Sequence, residues 1–177
     1  MPVSKTNILL TQQEIMHRVK ELAAQVSRDY RGKRPVLICI LKGAVVFLSD
    51  FMRYLQLPVE IDFMAVSSYG AAAASSGVIQ ILKDLEMNIE NKDVIIIEDI
   101  VDTGLTLNFL QETLLSRAPR SLKIITLLDK PDCRAVQVKV DYRGFCIPDE
   151  FVVGYGLDFN EKYRNLPDIR ILLEFKS

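Results

Sequence analysis

One stretch of the chain decides its fold: Val94-Ile95-Ile96-Ile97-Glu98-Asp99-Ile100-Val101-Asp102-Thr103-Gly104-Leu105-Thr106. The four β-branched residues at its start predict a strand that is buried on both faces. Two carboxylates, Glu98 and Asp99, follow where a parallel strand would end, and a hydroxyl-rich turn then precedes a helical pattern. The backbone N–H groups of such a turn and the helix dipole favour a phosphate, whereas carboxylates accept hydrogen bonds from sugar hydroxyls or hold Mg²⁺. The stretch therefore predicts a site for a phosphorylated sugar at the end of a parallel strand.

The acidic pair alone allows another interpretation, because carboxylates at a strand end are often only solvated surface groups. The complete string is more specific than the pair. The sequence contains neither G-x-x-x-x-G-K-[ST] nor G-x-G-x-x-G. Their absence argues against a Walker-type phosphate loop and against the usual dinucleotide fingerprint.

Composition predicts one soluble domain. The chain has 177 residues, of which 49% are hydrophobic and 25% charged, and its formal net charge is −1. This charge gives no overall basic field that would attract nucleic acid. Residues 1–10 lack the apolar core of a signal peptide, and the longest apolar run, residues 36–48, is interrupted by Lys42. We therefore expect neither a nucleic-acid partner nor a membrane.

The cysteines predict a reducing compartment. Cys39, Cys133 and Cys146 are far apart and odd in number, and His17 is the only histidine. This pattern favours buried thiols over a zinc site or a disulfide framework. The predicted location is the cytoplasm.

Helical and strand patterns alternate along the first two thirds of the chain. Thr11 and Glu14 have the spacing of a capping box, and His17 is expected to point to solvent. Helices are predicted at residues 11–30, 44–55 and 106–117, strands at 36–40, 59–66, 78–82, 94–98 and 123–128, and a long loop at 67–77. The alternation predicts a parallel sheet covered by helices, whose ligands bind beyond the carboxyl ends of the strands.

Several further side chains are predicted at that edge of the sheet. Lys42 and Gly43 could bind an anion, although Leu-Lys-Gly alone also fits a plain turn. Lys130 could hydrogen-bond the carbonyl of a planar base or be a surface charge. Phe151 could stack on a base or belong to a short core strand.

Asp158 and Arg164 follow this aromatic segment in the sequence. Either residue could be a surface charge. Alternatively, the carboxylate could bind a metal ion and the guanidinium a pyrophosphate.

Five segments in this order resemble a known family. They are Leu-Lys-Gly (41–43), Ser-Ser-Tyr-Gly (67–70), Glu-Asp-Ile-Val-Asp-Thr-Gly (98–104), Leu-Leu-Asp-Lys-Pro (127–131) and Ile-Pro-Asp-Glu-Phe-Val-Val-Gly-Tyr-Gly-Leu-Asp (147–158). The third segment is similar to the phosphoribosyl-pyrophosphate loop of the type I phosphoribosyltransferases. The last two resemble the hypoxanthine (hypoxanthine-guanine) group, the bacterial 6-oxopurine salvage type, and the resemblance extends over residues 8–173.

The resemblance implies a single α/β domain over residues 1–177, with a mainly parallel twisted sheet flanked by helices. A small hood subdomain would be built mainly from residues 131–177 with the N-terminal residues. The implied activity is transfer of a 5-phosphoribosyl group from phosphoribosyl pyrophosphate to hypoxanthine or guanine, giving IMP or GMP and pyrophosphate in purine salvage. A homodimer or homotetramer is implied as well.

The resemblance also implies roles for individual residues. Asp102 would be the general base at purine N7, the Leu41–Lys42 peptide would be cis, and Ser68 and Tyr69 would belong to a mobile loop. Phosphoribosyl pyrophosphate would contact Lys42, Gly43, Glu98, Asp99, Asp102, Thr103, Gly104, Leu105, Thr106 and Arg164. The purine would contact Lys130, Phe151, Val152 and Asp158, and Mg²⁺ would be held by Glu98, Asp99 and Asp158.

One segment departs from the family, and two alternatives stay open. Residues 71–74 are four alanines where the family loop is polar, which predicts altered loop closure. A xanthine-preferring transferase is the first alternative. The second is a nucleic-acid-binding regulator that senses phosphoribosyl pyrophosphate. The regulator predicts a long basic stripe, but the clusters at 31–34 and 117–123 are short.

Overall fold

The structure is a computed structural model that describes residues 6–68 and 79–173. Within these ranges the elements follow in the order β1 (Thr6–Leu10), α1 (Gln12–Asp29), β2 (Val36–Leu41), α2 (Val45–Tyr54), β3 (Glu60–Ser68), β4 (Ile79–Lys83), β5 (Asp93–Val101), α3 (Leu105–Leu115), β6 (Ser121–Asp129), a short 3-10 helix (Pro131–Cys133), β7 (Tyr142–Cys146), β8 (Val152–Val153) and β9 (Ile169–Leu172). None of the helices in the described part is long and apolar enough to cross a membrane.

A six-stranded sheet confirms the predicted α/β class. Its order is β4-β3-β2-β5-β6-β7, and every neighbouring pair is parallel except β3 and β4. Ile95 and Ile97 of the central strand β5 pack in one core with residues of α1 and α2. Val94 and Ile96 pack in a second core, with Leu110 of α3. Successive residues of β5 therefore fill opposite faces, as the β-branched run predicted.

The first helix begins as predicted. Thr11 is the N-cap of α1, its side chain accepts a hydrogen bond from the Glu14 N–H, and the Glu14 carboxylate accepts one from the Thr11 N–H. This capping box satisfies two backbone donors that the helix leaves free. His17 points to solvent and lies 3.2 Å from Glu21.

Strand β5 extends three residues beyond the predicted end of the strand at Glu98. Its pairing with β2 stops at Ile97, but its pairing with β6 continues to Val101, opposite Asp129. Glu98 and Asp99 therefore lie inside a strand that has lost its neighbour on one side only. On one side the backbone of this segment runs beside β6. On the other side, where β2 has ended, it faces the loop that follows β2.

Strand β3 extends two residues into the segment 67–77 that was predicted as a loop. Ser67 and Ser68 extend β3 and pair with Gln80 and Ile79 of β4. Tyr69 and the four alanines at 71–74 lie outside the described residues, so the predictions about the loop and its closure stay predictions.

A second, antiparallel sheet has the order β1-β9-β8. Val152 and Ile169 join the core that α1 and α2 form with the large sheet. The turn after β8 is tight: Gly156 has φ +100°, and a Cβ there would lie 2.1 Å from the Gly43 carbonyl oxygen. The C-terminal segment thus lies directly against the loop that follows β2.

Candidate active site

The carboxyl ends of three neighbouring parallel strands meet at one edge of the large sheet. The Lys42–Gly43 loop follows β2, Asp102 and the turn to Thr106 follow β5, and Lys130 follows β6. This edge is where open α/β sheets bind ligands. The sequence prediction that these turns converge is therefore confirmed.

The loop after β2 packs tightly on the acidic pair. The Leu41–Lys42 peptide bond is cis, as the resemblance implied. A Cβ on Gly43 would lie 1.6 Å from Oδ2 of Asp99, so no larger residue fits without moving that carboxylate. The main chain of the loop therefore lies directly beside the Asp99 side chain.

The acidic pair is held with little solvent around it. Glu98 is 7% exposed and Asp99 is partly buried. Burial raises the pKa of Glu98 well above its usual value, and the neighbouring Asp99 charge raises it further. Burial also raises the pKa of Asp99 to about 6, although an Ile100 N–H at 2.8 Å and the Arg164 charge oppose this shift. Ionisation of both carboxyl groups is therefore unfavourable in the ligand-free protein, and a bound cation or hydroxyl donors would stabilise their charged forms.

Asp99→Asn is expected to raise the free energy of unfolding of the ligand-free protein by about 1–3 kcal/mol near pH 8, because the amide carries no charge to desolvate. The pKa of Asp99 is about 6 in the folded protein and 3.8 ordinarily, so the free-energy cost of its buried charge is fully present above about pH 6. This cost disappears as the pH falls from the folded-state pKa to the unfolded-state pKa. Urea unfolding at several pH values should show the difference shrinking to nothing near about pH 4. The exposed Asp132→Asn is the control, and an Asp99→Asn effect independent of pH would contradict this explanation.

Lys130 is a buried cation at the end of β6. It is 6% exposed, and its Nζ lies 3.3 Å from Oδ2 of Asp102 and 3.3 Å from Oδ1 of Asp149. Burial of a lysine requires such partners. The ammonium group is therefore fixed beside Asp102 at the carboxyl-end edge of the sheet.

Two small adjoining clefts share Ile100 and Asp102 in their linings. One, of about 180 Å³, is lined by Asp99, Ile100, Asp102, Lys130, Phe151, Val152, Leu157 and Asp158. The other, of about 100 Å³, is lined by Glu98, Ile100, Val101, Asp102, Thr103, Gly104, Thr106 and Leu107. Phe151 is 42% exposed, and its ring packs edge to face against Phe159 with the two ring centroids 5.8 Å apart. The first cleft thus offers an aromatic ring and a cation, and the second offers a helix N-terminus.

The helix N-terminus is open to a ligand. Gly104, with φ +83°, is the N-cap of α3 and has no side chain to cap the helix, and the Leu105 N–H makes only a long hydrogen bond of 3.5 Å to Oγ1 of Thr103. A Cβ on Gly104 would lie 2.8 Å from the Val136 carbonyl oxygen, so both the conformation and the contact require glycine. First-turn N–H groups that the N-cap residue leaves without a capping hydrogen bond can donate to a phosphate.

An ion-pair network covers the other side of the edge. Nη2 of Arg164 lies 2.8 Å from Oδ1 of Asp158, and its Nη1 donates to the Gly156 carbonyl at 2.8 Å. Lys42 Nζ lies 3.1 Å from Oε1 of Glu161, a residue that also approaches Arg164 at 3.5 Å. The sequence singled out both cations but not Glu161, because nothing in the sequence signals a contact over 119 positions.

Arg134 is a further residue of the site that was not predicted from the sequence. Its guanidinium donates to the main-chain carbonyl of Asp102 and pairs with Asp129, which is fully buried. The Ala135 N–H donates to the Thr103 carbonyl at 2.9 Å. An aspartate at a buried strand end, followed five positions later by an arginine, was the available signal. Arg134 and Ala135 thereby fix the turn that carries Asp102.

The structure brings the predicted residues together with two exceptions. Tyr69 lies outside the described residues, and for Ser68 only the backbone position in β3 is described. Val152 lies in β8 and lines the larger of the two adjoining clefts. The roles assigned to all of these residues stay predictions.

The predicted metal ligands do not form a complete cage by themselves. Among the described residues, no group of three or more His, Cys, Asp and Glu side chains is placed to hold a metal ion. Asp158 accepts from Arg164 through one oxygen and from the Glu161 N–H, at 2.8 Å, through the other. Mg²⁺ is commonly held by one or two carboxylates together with substrate oxygens, and the buried Glu98–Asp99 pair fits that arrangement.

Comparisons with known proteins agree on one family. The family model described as phosphoribosyl transferase domain matches residues 5–160. The chain is 50% identical over 167 residues to a hypoxanthine-guanine phosphoribosyltransferase of Streptococcus thermophilus, covering 94% of this chain and 93% of the relative. It is 48% identical over 165 residues to that of Bacillus subtilis, covering 93% and 92%. A crystal structure of a hypoxanthine phosphoribosyltransferase from Staphylococcus aureus has a TM-score of 0.92 and 52% identity, and covers 97% of this chain and 94% of that one.

Proposed function

This chain belongs to the phosphoribosyltransferase family, and we propose that it transfers the 5-phosphoribosyl group from phosphoribosyl pyrophosphate to N9 of hypoxanthine or guanine, releasing pyrophosphate. The products are IMP and GMP, so the reaction serves purine salvage. One observation carries the proposal: Asp102 lines both a cleft with a phosphate-type helix N-terminus and a cleft with a cation and an exposed ring. A sugar phosphate and a planar base would meet at that residue.

On the sugar side, the 5′-phosphate accepts hydrogen bonds from the turn formed by Thr103, Gly104, Leu105 and Thr106. Glu98 and Asp99 accept from the ribose hydroxyls, which relieves the cost of burying their charges. Lys42, Gly43 and Arg164 bind the pyrophosphate. Both cations are paired with carboxylates in the ligand-free protein, so binding exchanges those partners for phosphate oxygens.

On the base side, Lys130 donates to the 6-oxo group and Phe151 stacks on the ring. Val152 offers backbone groups at the edge of the base, and Asp158 lies beside the same cleft. Asp102 accepts the proton from N7 as N9 attacks the anomeric carbon, acting as general base. Its proximity to Lys130 supports this role, because the ammonium group holds the carboxylate at the cleft.

We propose Mg²⁺ as the cofactor, held by Glu98, Asp99 and Asp158 together with substrate oxygens. When bound it would neutralise negative charge on the departing pyrophosphate. The protein's own residues position the pyrophosphate and move the proton. Expulsion of water from the cleft would protect the sugar cation from hydrolysis.

The proposal is tested by assaying the chain with phosphoribosyl pyrophosphate and hypoxanthine, guanine, xanthine or adenine in parallel. We expect turnover with the first two bases and none with adenine, which has no 6-oxo group for Lys130. Higher kcat/KM with xanthine would favour the xanthine-preferring alternative. Binding of phosphoribosyl pyrophosphate without turnover of any base would favour the regulator and overturn the proposed enzyme activity.

Lys130→Met is expected to raise the KM for hypoxanthine by about 10–100-fold, because a hydrogen bond from a charged donor is lost. The KM for phosphoribosyl pyrophosphate should stay unchanged. Steady-state kinetics with each substrate varied in turn measures both constants. Lys20→Met, an exposed lysine on α1, is the control. An equal rise in both KM values would assign Lys130 a structural role instead.

We also propose a cytoplasmic homodimer or homotetramer, with the small sheet and neighbouring C-terminal residues acting as a hood over the cleft. The position of Phe151 and Val152 beside Lys130 supports the hood. A solved structure concerns the oligomeric state of the Trypanosoma cruzi hypoxanthine phosphoribosyl transferase, a relative 44% identical to this chain. Light scattering on the purified chain measures its own assembly.

A further inference from the structure

A cleft of about 490 Å³ lies away from the candidate active site. It is formed by the end of α1, the turn that leads into β2, and the turn after α2. Its position is the amino end of β2, whereas the Lys42–Gly43 loop follows the carboxyl end. The six residues of β2 separate the two ends by about 20 Å. None of the residues that line this cleft lines either cleft at the active site.

Four cations line the cleft: Arg28, Arg31, Lys33 and Arg34. No carboxylate is part of its lining. Among the described residues, the side chains of Arg28 and Arg31 form no ion pair, and both are exposed. This concentration of positive charge contrasts with the chain's net charge of −1.

Two carboxylates pair with cations of the cleft but do not neutralise it. Lys33 Nζ lies 3.9 Å from Asp93, but Asp93 also pairs with Arg120 at 3.3 Å. In the same way, Nε of Arg34 lies 3.3 Å from Glu60, but Glu60 also pairs with Lys92 at 2.6 Å. Each carboxylate is therefore shared between two cations. The end of α1 contributes only about half a negative charge, which is small against four full positive charges.

We propose that this cleft binds a small polyphosphate anion, either free or as the phosphate chain of a nucleotide. Planar guanidinium groups match phosphate oxygens in paired hydrogen bonds, so Arg28 and Arg31 are its principal ligands. Leu57 and Pro58 provide an apolar wall beside the cations. The volume lies in the range of small-ligand sites, and the cationic lining is too short for an extended strand of nucleic acid. This site is independent of the proposed transferase activity.

The test is calorimetric titration of the full chain with inorganic tripolyphosphate. Wild type should bind at two classes of site, since the active site also accepts phosphates. Arg28→Ala/Arg31→Ala should weaken one class by at least about tenfold, because charged hydrogen bonds are lost, and leave transferase activity unchanged. Arg164→Ala should weaken the other class. Arg53→Ala/Lys139→Ala, which removes the same charge from exposed positions outside the cleft, is the matched control.

Titration with GTP separates the two sources. Tighter binding of GTP than of tripolyphosphate at the Arg28–Arg31 class identifies a nucleotide ligand, and equal binding identifies free polyphosphate. Unchanged binding in the double variant, or equal weakening in the control, would overturn the proposal. An affinity for single-stranded oligonucleotides that grows with length would also overturn it, in favour of a nucleic-acid surface.

Discussion

Asp102→Asn is expected to lower turnover with hypoxanthine by about 10²–10⁴-fold, the usual contribution of a placed general base, while the affinity for phosphoribosyl pyrophosphate is retained. The amide keeps the size and shape of the carboxylate but cannot accept the purine proton. The side chain of Asp102 is 49% exposed, and the buried Lys130 keeps Asp149 as its carboxylate partner when Asp102 is replaced, so the fold should be retained. Steady-state kinetics gives turnover, and titration gives the affinity.

Asp149→Asn is a closely matched control for this prediction. Asp149 contacts the same Lys130 Nζ at the same 3.3 Å, but it is 77% exposed and does not line the larger of the two adjoining clefts. It therefore removes an equivalent ion pair without removing the proposed base. If both variants lose turnover equally, the fixation of Lys130 is what matters, and Asp102 is not the base.

Local sequence patterns predicted the features that depend on neighbouring residues. The capping box of α1 involves residues three positions apart, and the buried strand β5 is visible in its four β-branched residues. Leu41-Lys42-Gly43 was placed correctly at a strand end because the preceding apolar run has the length of a strand. In each case the determining contacts are local or follow from burial alone.

Features that depend on distant partners were not predictable from the pattern. The end of β5 is set by its register with β6, which continues four positions beyond the last pair with β2. Glu161 pairs with Lys42 only because the turn at Gly156 packs against the Gly43 carbonyl. Asp129 follows the strand predicted at 123–128, and only the three-dimensional structure shows that its carboxylate is buried and paired with Arg134.

The Arg134–Asp129 pair is buried at the end of β6. Arg134→Met is expected to lower the free energy of unfolding by about 2–4 kcal/mol, because it leaves the Asp129 carboxylate buried with one cation fewer. Arg143 remains, with its Nε 2.5 Å from Oδ2 of Asp129, and keeps the loss below that of a fully orphaned charge. Arg134 also donates to the Asp102 carbonyl, so the turn after β5 should lose its fixed position. The KM for phosphoribosyl pyrophosphate should therefore rise at least about tenfold, since small misplacements of a binding turn are costly.

Two further variants separate positioning from stability in this cluster. Arg143→Met removes the other partner of Asp129 but no contact to Asp102, and its side chain is 47% exposed, so it should destabilise less and keep normal kinetics. Asp129→Asn/Arg134→Met removes the orphaned charge and should recover stability in urea unfolding. It should not recover the KM, because the hydrogen bond to the Asp102 carbonyl is still missing. Recovery of both together would mean that Arg134 acts only by neutralising Asp129, and the positioning role would be wrong.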